Sequence, residues 1–218
     1  MDVFLFLKGI FVGFLIAAPV GPVGILCAQR TLQLSLSAGL TAGLGAAVAD
    51  AIFGAIAAFG LTFVAHILLQ NETIFRLIGG VLLLVLGVRT FFKPPPDLDQ
   101  RAAVTANHMA GGFISTFALT ITNPITIMSF GPVFVAANAV VQPGNLAAAW
   151  TLIIGVFAGS ALWWLMLCTG ISLFRRKVTV GRMRWINKLS GVVIVFFGLL
   201  VIVSVTSFGA ELLDIKGL

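Results

Sequence analysis

The stretch Ala17-Ala-Pro-Val-Gly-Pro-Val-Gly24 places two prolines and two glycines inside the first apolar run of the chain. Lipid cannot hydrogen-bond a backbone N–H or C=O, so a helix break survives there only when it is buried in protein or lines a watery cavity. Proline donates no N–H, and glycine leaves helical geometry at little cost. The stretch therefore predicts a polar site at Pro19, Gly21 and Pro22. A proline kink that merely shapes a helix bundle is the alternative.

The composition around this stretch is that of a polytopic membrane protein. Of the 218 residues, 60% are hydrophobic and 9% are charged. The longest polar interval is too short to bury a core of its own, so one membrane domain is expected over residues 1–218. Much of the net charge of +6 comes from residues 175–188. A basic loop between apolar spans fits the positive-inside rule and anionic lipid better than a nucleic-acid partner.

Six apolar stretches are long enough to cross the hydrocarbon core, which takes about 20 residues per helix. They cover residues 3–26, 37–64, 73–92, 111–137, 146–174 and 185–207. The first is broken by the proline-glycine stretch and the fourth by Thr122-Asn123-Pro124. The predicted fold is thus an all-α integral membrane protein with six transmembrane helices.

Basic residues orient these helices. The loops after the first, third and fifth helices hold ten of the thirteen Lys and Arg residues. Cytoplasmic loops are enriched in Lys and Arg, so these three loops are expected in the cytoplasm and both termini outside.

The two halves of the chain carry matching residues in the same order. The matches are Pro22 with Pro124, Gly45 with Gly155, Asp50 with Ser160, and Gly80 and Gly87 with Gly191 and Gly198. A proline-rich linker, residues 93–110, separates halves that cover about residues 1–92 and 111–208. Three helices per half is an odd number, so the second half enters the membrane upside down. This predicts two inverted repeats with the site at the broken helices, as in secondary transporters.

Asp50 lies near the middle of the second helix, with no Lys or Arg in the same apolar span. An ionised Asp at the centre of a membrane helix costs roughly 2.5 to 3.5 kcal/mol on insertion scales. It must therefore be protonated or face water, a cation or a substrate ammonium group; a hydrogen bond between helices without function is the alternative. A strip of small residues shares its helix face: Gly39, Gly43, Ala47, Gly54 and Ala58. The strip predicts that Asp50 points into the bundle.

The break in the fourth helix adds further polar groups. Asn123 can donate and accept hydrogen bonds, and Pro124 leaves the carbonyl of Thr120 without its helical partner. Asparagine before proline is also an ordinary helix ending. With the hydroxyls of Thr120 and Thr122, the predicted substrate or ion site comprises Pro19, Gly21, Pro22, Asp50, Thr120, Thr122, Asn123 and Pro124.

Taken together, these motifs resemble those of the lysine exporter superfamily, in particular the LysE/RhtB-type translocators of bacterial inner membranes. The resemblance rests on Pro19-Val-Gly-Pro-Val-Gly24, on Asp50 within Ala-Val-Ala-Asp-Ala, on Asn123-Pro124-Ile-Thr and on the glycine-spaced third and sixth helices. It implies export of amino acids or related small amino-containing metabolites across the cytoplasmic membrane, driven by a proton or other ion gradient. It also implies that Gly21, Pro22, Asp50, Asn123 and Pro124 match family motifs.

A divalent-metal or other cation exporter of the same superfamily is the alternative function. Hard cations prefer several oxygen ligands, whereas Asp50 is the only acid deep in a span. We expect no enzyme, because hydrolytic chemistry needs constellations of His, Ser and acids that the sequence does not show. No cofactor or resident metal is predicted, and Cys27 and Cys168 form no redox motif. The expected partners are an amino-acid substrate, a proton or other coupling ion and membrane lipid; small-residue strips permit a homodimer without requiring one.

Overall fold

The computed structural model describes residues 2–19, 21–59, 67, 70–94, 106–130, 133, 145–174 and 179–205. Every regular element in these ranges is an α-helix. In chain order the helices are α1 (Val3–Ala17), α2 (Pro22–Gln33), α3 (Leu36–Ala58), α4 (Glu72–Phe92), α5 (Ala106–Ile121), α6 (Pro124–Ser129), α7 (Leu146–Phe174) and α8 (Val180–Val203).

Four of these helices, α3, α4, α7 and α8, are long and apolar enough to cross a membrane. The pair α1 and α2 passes the same test jointly, and α5 is a shorter apolar helix. Large apolar side chains on the outer faces of α4 and α8, such as Val85 and Phe196, are exposed, as expected where a helix faces lipid. The chain is therefore a multi-pass integral membrane protein.

The break predicted in the first span, residues 3–26, is confirmed by the structure, whereas the predicted end of the span is wrong. α1 ends at Ala17, and the axis of α2 differs from that of α1 by 86°. Proline fits the first position of a helix, where no N–H is needed, so Pro22 starts a new helix instead of kinking the old one. α2 then continues to Gln33, seven residues beyond the predicted end.

Several other predicted boundaries also shift. α5 begins at Ala106, inside the predicted linker, and ends at Ile121. α8 begins at Val180 because the Thr179 hydroxyl accepts a hydrogen bond from the Arg182 N–H and caps the helix. α3 ends at Ala58. Parts of four predicted spans lie outside the described residues: residue 20 and residues 60–64, 131–132, 134–137 and 206–207.

Glycines allow close contacts between helices from opposite halves of the chain. A Cβ on Gly9 of α1 would lie 2.9 Å from the Cα of Gly155 on α7, and a Cβ on Gly45 of α3 would collide with the Phe113 carbonyl oxygen of α5. α3 and α5 are also joined by a hydrogen bond of 2.5 Å from the Thr116 hydroxyl to the Ala42 carbonyl. The first helix of each half of the chain thus packs against a helix of the other half: α1 packs on α7, and α5 packs on α3.

α4 and α8 pack antiparallel through two pairs of glycines. A Cβ on Gly80 would lie 3.3 Å from the carbonyl oxygen of Gly198, and one on Gly87 would lie 3.1 Å from that of Gly191. The two central helices, α3 and α7, meet along the predicted small-residue strip, where Gly43 packs against Trp164. The prediction that this strip faces the bundle is confirmed, and it carries Asp50 into the protein interior.

Candidate functional site

The break between α1 and α2 leaves an uncapped helix start. Gly21 precedes α2 with φ −115° and ψ −162°, and it makes no side-chain cap. A Cβ added to Gly21 would meet nothing within 4 Å. Pro22 has no N–H, so the first amide hydrogens that the helix can offer are those of Val23 and Gly24.

The break between α5 and α6 is built in the same way. Asn123 precedes the helix, and Pro124 is its first residue. The Asn123 carbonyl accepts a hydrogen bond of 3.1 Å from the Ile127 N–H, just as the Gly21 carbonyl accepts one of 3.1 Å from Ile25. The two breaks therefore place Gly21 and Asn123 in matching positions. The side chain of Pro124 lies outside the described residues.

Two adjoining cavities lie between these breaks. The larger has a volume of about 220 Å³, and the smaller, about 50 Å³, reaches Asp50. Both are lined by the same six residues: Ile16, Pro19, Gly21, Pro22, Asn123 and Thr126. The cavities are thus two parts of one space that begins at the helix breaks.

Asp50 is almost fully buried, with 2% of its surface exposed. The Ser160 hydroxyl of α7 donates a hydrogen bond of 2.7 Å to Asp50 Oδ2. The sequence had matched these two residues between the halves, and in the structure they touch. One side-chain bond thus fixes the carboxylate at the crossing of α3 and α7, beside the smaller cavity.

Two polar groups that line the smaller cavity have no hydrogen-bond partner among the described residues. They are the Thr120 hydroxyl and the indole Nε1–H of Trp164, and both are buried. A buried donor without a partner costs about 1–3 kcal/mol, so such groups are kept where a ligand or water can satisfy them. The cavity therefore offers unused hydrogen-bonding capacity next to the Asp50 carboxylate.

The structure brings together most of the predicted site residues. Those that line the cavities are Pro19, Gly21, Pro22, Asp50, Thr120 and Asn123. Thr122 lines neither cavity, because its hydroxyl donates to the Ala118 carbonyl at 2.7 Å within its own helix. Its carbonyl instead packs against Gly79 of α4. Thr122 is therefore a packing residue in this structure.

Sequence reasoning did not select Trp164, Thr126 or Ile16 as site residues. The depth of Trp164 within its span, away from a membrane interface, was the one signal that could have indicated its role. Among the described residues, no Lys or Arg lines either cavity, and no group of three or more His, Cys, Asp or Glu side chains is placed to hold a metal ion.

A buried carboxylate and unpartnered donors beside two helix breaks in a multi-pass bundle are features typical of a membrane transporter. Residues 14–205 match the family model described as LysE type translocator. The chain belongs to this family, which confirms the resemblance carried by its motifs. No curated protein and no solved structure matches it.

Proposed function

We propose that this transporter exports amino acids or related small amino-containing metabolites across the cytoplasmic membrane of a bacterium, coupled to the proton gradient. The observation that carries the proposal is that the Asp50 carboxylate and the uncapped start of α2 line the same cavity. The larger cavity, about 220 Å³, is smaller than the roughly 300–1,000 Å³ typical of sites for drug-sized ligands. A small zwitterion fits both the charge pattern and the size.

The substrate would bind with its two charges at opposite walls of the cavity. Its carboxylate would accept hydrogen bonds from the first free N–H groups of α2, where the helix dipole supplies positive potential. The Trp164 indole and the Thr120 hydroxyl are further donors beside that position. Its ammonium group would pair with Asp50, a charge-assisted contact that is strong away from water. Asn123, which lines both cavities, would bridge the two ends.

Proton coupling follows from the position of Asp50. A lone ionised carboxylate at this depth is unfavourable, so Asp50 would carry either a proton or the substrate ammonium. Exchange of one for the other links substrate release to proton uptake from the outside. The basic loops would then lie in the cytoplasm and both termini outside, by the positive-inside rule.

The contacts between halves support an inverted repeat. When two halves are related by a two-fold axis, a contact between two residues is repeated between the two residues that match them in the other half. Gly80 faces Gly198 and Gly87 faces Gly191, which is the crossed pairing of the matched glycines, and Asp50 meets its own counterpart Ser160. We infer six membrane spans in two inverted three-helix halves, with α1–α2 and α5–α6 as the corresponding broken helices.

Counterflow in proteoliposomes tests the proposal with a panel of amino acids. Wild type should exchange at least one of them saturably. Asp50→Asn should abolish exchange or remove its pH dependence, because the amide can neither release a proton nor pair with an ammonium. Asp2→Asn is the matched acid-to-amide control, since Asp2 is exposed at the start of α1 and only caps that helix. Thr122→Val should also exchange normally, because its hydroxyl stays within its own helix.

Failure of the whole panel would overturn the amino-acid proposal. If folded Asp50→Asn also changed the efflux of divalent cations, the cation exporter would replace it.

A further inference from the structure

One face of α2 runs from the substrate cavity to the far end of the helix. At 100° per residue, Pro22, Leu26, Gln29 and Gln33 fall within an arc of about 60°. Pro22 lines both cavities, and Gln33 is the last residue of α2. The face therefore starts at the site and ends on the side of the basic loops.

Hydrogen bonds close the far end of this face. The Gln33 amide donates to Asn187 Oδ1 of α8, and Asn187 Nδ2 donates to the Lys93 carbonyl, just after α4, at 3.1 Å. Both side chains are buried, with 6% of Gln33 and 1% of Asn187 exposed. This chain of bonds, the Gln33–Asn187 latch, joins α2 to α8 and to the end of α4.

The neighbouring residue on α2 reinforces the closure. The Arg30 guanidinium donates to the carbonyls of His108 and Gly111 at 3.3 and 3.4 Å and to the Ser115 hydroxyl at 3.0 Å. These acceptors lie in the first three turns of α5. The end of α2 is thus held to elements of both halves, on the side opposite the larger cavity.

Distances along α4 and α8 place the latch well away from the cavity. The larger cavity is lined by Leu83 of α4 and Phe197 of α8. Leu83 lies ten residues before Lys93, and Phe197 lies ten residues after Asn187. At 1.5 Å per residue, the separation is about 15 Å. The α2–α8 interface between Pro22 at the cavity and Gln33 at the latch is here called the seam. It must open for a molecule to reach the site from this side.

The helical spacing places Gln29 on the face of α2 that forms that seam. Gln29 is 5% exposed, and its side-chain Nε2 has no hydrogen-bond partner among the described residues. It sits between Pro22 at the cavity and Gln33 at the latch, on the same helix face. Packing alone does not explain a buried amide with an unused donor, whereas a passing carboxylate would satisfy it.

We propose that the seam between α2 and α8 is the inner half of the substrate path, with the Gln33–Asn187 latch as its gate and Gln29 as a second binding position for the substrate carboxylate. The proposal rests on the transport function above. The structure then corresponds to a state with the inner gate closed.

Thiol labelling tests the gate without any knowledge of the substrate. The chain has two cysteines, Cys27 and Cys168, which are replaced by alanine. A membrane-impermeant maleimide applied from the inner side should label Gln29→Cys slowly when the latch is intact. Adding Asn187→Ala should raise the labelling rate at least tenfold. Thr31→Cys is the matched control, because Thr31 is buried on the opposite face of α2 against Gly39, and its rate should not change.

A reversible crosslink provides an independent test of the same gate. Gln33→Cys with Asn187→Cys should be joined by a short bis-methanethiosulfonate reagent, which replaces the length of the two amide side chains that touch there. The crosslink should reduce counterflow at least tenfold until reductant restores it. Equal labelling of Gln29→Cys with and without Asn187→Ala would overturn the gate, as would a crosslinked protein that transports at full rate. If Asn187→Ala does not fold, Gln33→Ala opens the latch from the other side and gives the same two outcomes.

Gln29→Leu tests the second binding position. Loss of one hydrogen bond to a carboxylate corresponds to about a tenfold higher KM measured from the inner side, with the exchange rate at saturation retained and with Gln29→Asn closer to wild type. An unchanged KM would remove Gln29 from the proposal. Failure of the whole amino-acid panel, by contrast, would leave the labelling result intact and overturn only the proposed substrate.

Discussion

The two ends of α2 are built in opposite ways. Its start has no side-chain cap, and open space surrounds the Cα of Gly21. Its end is held by side-chain hydrogen bonds from Arg30 to α5 and from Gln33 to α8. A helix usually receives its caps where its backbone groups need them most. Here the start keeps its N–H groups available, whereas the end is fastened, and this contrast indicates that α2 binds at one end and closes a path at the other.

The largest expected effect comes from disrupting the contact between α1 and α7, which positions the start of α2. Gly155→Leu places a Cβ 2.6 Å from the Phe6 carbonyl oxygen and 2.9 Å from the Gly9 Cα, so α1 cannot pack on α7 and the break after α1 loses its position. We expect loss of most folded protein, measured by size-exclusion chromatography in detergent. Gly170→Leu on the same helix is the control, because a Cβ there would meet nothing within 4 Å. Equal yields of the two variants would contradict the packing described.

The open end itself is tested by Gly21→Val. The backbone at Gly21 is extended and has room for a side chain, so the protein should fold with stability near that of wild type. Because the new methyl groups would cover the first N–H groups of α2, we expect counterflow to fall by about tenfold or more. Gly111→Val, at another glycine with open surroundings, should keep its activity. Normal transport by Gly21→Val would mean that the start of α2 does not bind the substrate.

The smallest expected effect is at the fastened end. Arg30→Gln removes the charge and shortens the side chain, so hydrogen bonds to α5 are lost at about 1 kcal/mol each. The melting temperature should fall by a few degrees, measured by thermal unfolding in detergent. Arg184→Gln is the control, since Arg184 is exposed on α8. If both variants melted alike, the anchoring of α2 to α5 would contribute nothing to stability.

Much of the site could be predicted because its signals are local in the sequence. Prolines next to glycine or asparagine kink or break a helix, and a carboxylate in an apolar span must find a partner. Pro22, Asp50 and Asn123 were therefore found without a structure. Thr122 shows the limit of this reasoning, since its neighbour Thr120, two residues earlier, lines the cavity while Thr122 faces α4.

The inner latch could not be predicted from the sequence. Gln33 and Asn187 are 154 residues apart, and each is an ordinary polar residue near a helix end. The 86° turn between α1 and α2 was equally hidden, because a proline can either kink a helix or start a new one. That turn decides where the Gln33 end of α2 lies, so neither the latch nor the role of Gln29 follows from local pattern.

The contact between Asp50 and Ser160 has a consequence for ancestry. On the proposed repeat these residues are counterparts, and their hydrogen bond places both beside the two-fold axis. In a dimer of two identical three-helix chains, one gene would put the same residue at both positions, and two carboxylates so close could not both ionise. Fusion of duplicated copies into a single chain removes that constraint. Once the two copies are encoded separately, one can keep the acid while the other evolves into the hydroxyl that holds it.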